Sequence, residues 1–183
     1  MKYSILDLEK KQGDVIPIDE SLDIKESLLA RTNDVLDVLG KSRVTGTLVP
    51  SKTEYLLNFK ATTEIVMPSS RSLEPVTFDF EIEVSEVMMT QDQYAAKDDT
   101  TPDEEIILIE EDHIDLVQAV ADNVVLNLPL RILTPEEELS DEMPSGNGWV
   151  VLSEADLAAH EEEVKQDNNP FAALKGMFED DKN

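Results

Sequence analysis

Few residues of this chain have the type and spacing that covalent chemistry needs. The two histidines both sit among acids, in Glu111-Asp112-His113 and His160-Glu161-Glu162. A histidine so placed can serve as a metal ligand or a general base. Neither has a partner motif, and a surface position at a helix end accounts for both. The acids of Asp98–Glu105 suit a hard cation such as calcium, but they lack the central glycine and ordered spacing of an EF-hand loop. That segment reads as a solvated loop. Ser69, Ser70 and Ser72 flank Arg71 and could form a nucleophile or phosphorylation site; a turn between strands explains them more simply. Cysteine is absent, which removes disulfides, thiolate metal sites and cysteine nucleophiles. No Gly-rich phosphate loop, Gly-x-Ser-x-Gly or His-Glu-x-x-His occurs. The expectation is a non-enzyme, with no catalytic residues, metal or cofactor.

Two sets of residues suit binding instead. Lys41, Arg43, Lys52, Lys60 and Arg71 lie in the strand-rich half. If neighbouring strands align them they form a modest basic patch, with Lys41, Arg43, Lys60 and Arg71 as the candidate RNA contacts. Base stacking would need exposed aromatics, for which Tyr55 and Phe59 are the candidates. The second set is Asn169, Pro170, Phe171 and Leu174, near the end of the chain. Asn169 can cap a short helix and Pro170 suits its first turn. Phe171, Leu174 and Phe178 then share one face, either as a docking ligand for a partner groove or folded back on the sheet.

The elements that must position these residues are strands followed by helices. Ser4–Lys11 reads as a short helix capped by Ser4, with Ile5 and Leu8 on one face. Ser21–Arg31 is undecided between strand and helix. Gly40-Lys41 reads as a turn. Arg43–Val49, Glu54–Lys60 and Thr62–Met67 read as short strands broken by Pro50 and Pro68. From Val76 to Val87 apolar and polar residues alternate, placing Val76, Phe78, Phe80, Ile82 and Val84 on one face. Such a pattern predicts an antiparallel meander packed on one side. Thr90–Glu105 reads as a mobile loop and Ile106–Ile109 as a further strand. A helix follows over Asp115–Leu128, with Asp115 and Gln118 as a capping box. Val117, Val120, Ala121, Val124, Val125 and Leu128 form its apolar stripe, while Asp122 and Asn123 face away. Glu136–Gly148 reads as an acidic linker, and Ser153–Lys165 as a second helix.

Charge is distributed unevenly. The net is −26, and residues 1–75 hold 10 Lys/Arg against 12 Asp/Glu, whereas residues 76–183 hold 5 against 29. The second part should repel nucleic acid and anionic membranes and attract cationic partners. Aromatics are only 5%, so the core must be largely aliphatic. The N-terminus has no signal-peptide core, and no window approaches the ~18 apolar residues of a membrane helix. With no cysteine either, a cytoplasmic protein is expected. The fold expected is α+β: an antiparallel sheet or partly open barrel with a covering helix in 1–135, then an acidic linker and helical tail in 136–183.

Three segments, in order, give the chain a family resemblance. They are Met1-Lys2-Tyr3-Ser4-Ile5 with Pro17-Ile18-Asp19-Glu20, then Ile114-Asp115-Leu116 through Asn127-Leu128-Pro129, then Asn169-Pro170-Phe171-Ala172-Ala173-Leu174. Together they resemble the YceD family of large ribosomal RNA accumulation proteins, in its Gram-positive form. In that family a Cys-x-x-Cys-like element usually follows the third strand. Here the matching stretch is Pro68-Ser69-Ser70-Arg71-Ser72, so both sulfur positions are serine, and any metal or redox role in relatives should be missing. The resemblance implies a bacterial, non-enzymatic role in large-subunit rRNA accumulation or ribosome biogenesis. It also implies a partner, since genes of relatives often neighbour that of a small basic large-subunit ribosomal protein. An acidic chain suits binding such a protein or a pre-ribosomal particle. The alternative is direct recognition of precursor rRNA through the N-terminal half.

Overall fold

A computed structural model describes residues 1–97, 106–139, 145–146, 148–151 and 157. The chain divides into two units, Met1–Ile132 and Leu133–Asn183. The first is built on a five-stranded sheet of order β2-β3-β4-β5-β6. Its strands are β2 (Ile16–Leu22), β3 (Asp37–Pro50), β4 (Tyr55–Pro68), β5 (Pro75–Thr90) and β6 (Ile106–Ile109). The first four form the expected antiparallel meander, while β6 runs parallel to β5. The sheet has two edges, β2 and β6, so it is open rather than a closed barrel. A separate pair joins β1 (Lys2–Ser4) to β7 (His113–Asp115).

The strands are longer than their proline breaks suggested, at 14, 14 and 16 residues for β3, β4 and β5. Gly40 explains part of the difference. With φ of +71° it lets the backbone bend at a bulge between Leu39 and Arg43. The strand therefore continues where a turn was expected. Prolines 50, 68 and 75 stand at strand ends, where a missing N–H disturbs no central ladder. Gly46 has a different reason for being glycine. A Cβ there would meet the Asn58 carbonyl oxygen at 2.1 Å and the Phe59 Cα at 2.7 Å.

One face of the sheet carries the core. Val44, Ala61 and Ile82 are opposite one another on successive strands, as are Leu48 and Leu57, and all are buried. Phe78 and Phe80 stay on this side and meet edge to face, with ring centroids 6.2 Å apart. The covering helix is α4 (Leu116–Leu126), which packs against β5 and against α2 (Lys25–Leu29). Leu116, Val120 and Val124 are fully buried, each contributing on the order of 1.5–3 kcal/mol. Asp115 caps α4 by accepting from the Val117 N–H at 3.0 Å. The expected capping box does not form, because Gln118 accepts from Arg31 of the α2 region instead.

Local readings were corrected in four further places. Helix α1 (Ile5–Glu9) buries Ile5 and Leu8, but Ser4 makes no side-chain cap bond. Ser21–Arg31 is partly each alternative: β2 ends at Leu22 and α2 begins at Lys25. Within the expected mobile loop lies α3 (Gln91–Ala96), closed by a Thr90–Gln93 capping box. In the second unit, α5 (Pro135–Leu139) occupies the start of the expected linker, with Thr134 and Glu137 bonded reciprocally. A short pairing of β8 (Ser145–Gly146) with β9 (Trp149–Val150) follows.

Candidate functional site

The residues expected to bind RNA stand on the sheet but are answered by acids. Register places Arg43 beside Thr62 and Lys60 beside Thr45, so both project from the face opposite the core. Arg43 pairs with Asp19. Lys60 pairs with Glu81 at 2.6 Å and Glu83 at 3.7 Å. Glu64 and Asp79 stand opposite each other on that same face. The Glu81 bond, first, and the neighbouring acids push the Lys60 ammonium above its ordinary range. Lys41 is exposed at the β3 bulge, and Arg71 lies half-buried in the β4–β5 turn. Tyr55 and Phe59 are 1% and 4% exposed, so neither offers a stacking platform.

The Ser69 segment is a turn. Ser69 is buried, and its hydroxyl accepts from the Arg71 N–H at 3.0 Å and the Ser72 N–H at 3.3 Å. Ser70 exchanges two bonds with Ile132: its N–H donates to the Ile132 carbonyl and its hydroxyl accepts from the Ile132 N–H. This ties the sheet to the strand of chain leaving α4. The first serine at a sulfur position thus acts as a hydrogen-bond acceptor that organises the loop.

His113 belongs to β7 rather than to a helix end. Its Nε2 lies 3.0 Å from Glu111 and its Nδ1 3.1 Å from Asp112. The hydrogen bond from His113 holds the Asp112 carboxyl below its usual range. Among the described residues, no group of three or more His, Cys, Asp or Glu could hold a metal ion, and no helix is long and apolar enough to cross a membrane. His160, Asp98–Glu105, Asn169, Pro170, Phe171, Leu174 and the Ser153–Lys165 helix lie outside the described residues, apart from Leu157.

What sequence reasoning missed is a groove of about 440 Å³ between β6, β7 and one flank of α4. Met88, Ile107, Ile109 and Ile114 supply apolar wall. Gln118, Ala119, Asp122, Asn123 and Leu126 come from α4, at the spacing of a single helical stripe. Glu86 stands inside, on the core face of β5 opposite Leu57. Its Oε1 accepts from the Asn123 amide at 2.6 Å. Its Oε2 is buried and meets no hydrogen-bond donor among the described residues. Burial pushes this carboxyl above its ordinary range; the Asn123 bond opposes that, and the nearby Asp122 adds to it. Asn123 was expected on the outer side of the helix. It is 8% exposed, because Glu86 and the Ala119 carbonyl both accept from its amide. The available signal was a glutamate at a core-facing position of an alternating strand, where valine or isoleucine belongs.

Comparison with known proteins gives a consistent result. Residues 57–178 match the model of the family described as "Large ribosomal RNA subunit accumulation protein YceD". The chain is also 27% identical over 177 residues to "Uncharacterized protein YlbN" of Bacillus subtilis (strain 168), covering 92% of this chain and 99% of that protein. No solved structure matches.

Proposed function

The chain belongs to the YceD family of large ribosomal RNA subunit accumulation proteins, and from that premise we propose that it is a non-enzymatic cytoplasmic factor that binds a basic large-subunit ribosomal protein. The family description supports a role in accumulation of large-subunit rRNA. The choice of a protein partner rests on charge. Residues 76–183 carry 29 Asp/Glu against 5 Lys/Arg, and on the outer face of the sheet Arg43 and Lys60 are already paired with acids. Phosphate binding would have to break those pairs against a net charge of −26. A small cationic protein meets the opposite situation, with favourable long-range attraction and fast association. The Asn169–Leu174 segment is proposed as an additional apolar anchor for the same partner. Depleting the protein and comparing large- with small-subunit rRNA tests the role. A selective loss of large-subunit rRNA is expected, and an unchanged ratio contradicts it.

A further inference from the structure

We propose that the groove between β6 and α4 is a docking site for an extended, Lys- or Arg-bearing apolar segment of a partner protein, with the cationic head seated against Glu86. This rests on the reading of a basic partner and names the site that would receive it. Three observations converge on it. First, the groove is apolar in its walls and acidic in its polar groups: Glu86, Glu110, Glu111, Asp115 and Asp122 line it, against Lys2 and His113. Several are already engaged. Lys2 is 3.6 Å from Asp115, Arg31 holds Asp122, and His113 holds Glu111. Glu86 and Glu110 have no ion pair among the described residues, and Glu86 keeps one buried oxygen unsatisfied. A buried acceptor left in that state is unfavourable, and a donor from a ligand would relieve it.

Second, β6 is an edge strand made of Ile106, Ile107, Leu108 and Ile109. Among the described residues it pairs with β5 on one side only, and Ile107 and Leu108 are exposed. An apolar edge without charges or proline is a template for strand addition. Alternate side chains of an added strand would point across the groove towards α4. Third, Leu126 stands at the groove with 80% of its surface in solvent, the position of an apolar rim contact. The acidic lining argues against this chain's own terminal region as occupant, since residues 133–183 carry 14 Asp/Glu and 3 Lys/Arg.

The test uses the full chain and a fluorescent synthetic peptide in which Lys alternates with Val, with a Gln-for-Lys peptide as control. Binding is followed by anisotropy at about 150 mM salt, where long-range attraction is screened. Glu86→Gln keeps an acceptor for Asn123 and should weaken Lys-peptide binding about tenfold or more. Leu126→Gln, a neutral change on an exposed position, should weaken it without lowering the melting temperature. Glu64→Gln, on the opposite face of the sheet, should leave it unchanged. Equal losses from Glu86→Gln and Glu64→Gln would show diffuse attraction and overturn the site, as would tight binding of the Gln peptide. A wild-type dimer in sedimentation that Leu126→Gln dissociates would overturn it in favour of a second copy. Capture of ribosomal protein by the wild type, equally strong with Glu86→Gln and Leu126→Gln, would reject this site and leave the partner reading intact. Failure of the wild type to capture any basic ribosomal protein would reject the reading itself.

Discussion

The side chain of Asn123 reaches across from α4 to Glu86 on β5 and donates to it at 2.6 Å. The same amide donates to the Ala119 carbonyl one turn earlier. One half-buried carboxylate thereby fixes how the covering helix sits on the sheet. Replacing Asn123 by Ala leaves that carboxylate without its donor. The expected loss is on the order of 1–3 kcal/mol, read from the urea midpoint at constant slope.

A pH effect follows from the same pair. Burial raises the Glu86 carboxyl above its ordinary range, so the folded state holds this proton more tightly than the unfolded chain. Stability from this group is therefore present at low pH and falls as pH rises through the raised value. Lys2, Glu110, Glu111, His113, Asp115 and Asp122 face the same space and set the background. Glu86→Gln should flatten this contribution. Unfolding between about pH 4 and about pH 8 should show the variant gaining on the wild type as pH increases. A constant difference would contradict the assignment.

Gly46 lies where β3 and β4 come closest to a clash. Gly46→Ala forces a Cβ onto the backbone of Asn58 and Phe59. Because these are main-chain atoms rather than a flexible side chain, the ladder itself must shift. A cost of about 1–3 kcal/mol or more is expected. Thermal unfolding of the variant checks this.

The Ser69 turn makes a smaller claim. Ser69→Ala removes the acceptor for two backbone N–H groups, a change comparable to losing a helix cap and worth about 0.5–2 kcal/mol. Ser72→Ala should cost less, because Ser72 is exposed and its hydroxyl accepts one bond, from Glu74 at 3.3 Å. A reversed order in chemical denaturation would show that the turn is organised differently.

Much of the sheet was legible because its physics is local. The alternation from Val76 to Val84 places acids outward and apolar residues inward, and β5 follows it. The α4 stripe was legible at Val120, Ala121 and Val124, which are buried, whereas Val117, Val125 and Leu128 are only partly buried and the fully buried Leu116 lay outside the stripe as read. Asn123 was misplaced because its partner is 37 residues away in sequence, and periodicity treats any polar residue as outward. Gly40 was taken for a turn because a bulge and a turn both use a positive φ. The capping boxes at Thr90–Gln93 and Thr134–Glu137 were written in the sequence but were hidden by acidic surroundings. The basic residues Lys41, Arg43, Lys60 and Arg71 stand out in the sequence as a candidate patch. Their pairing with Asp19, Glu81 and Glu83 depends on register, which composition does not reveal.

The terminal segment gives a prediction of a different kind. If Phe171 and Leu174 dock on the partner, Phe171→Ala should weaken capture by ~2 kcal/mol or more, as for an aromatic hot spot, with the melting temperature unchanged. A core role would instead lower the melting temperature, at ~3–5 kcal/mol, and leave capture by the folded fraction intact.

The most direct test of the central claim is affinity purification of the tagged chain from cells, with and without nuclease. Binding to a basic large-subunit ribosomal protein predicts that this protein stays with the chain after RNA is digested. Loss of all ribosomal protein on digestion, together with a requirement for Lys41, Arg43, Lys60 or Arg71, would contradict the claim and establish direct recognition of RNA.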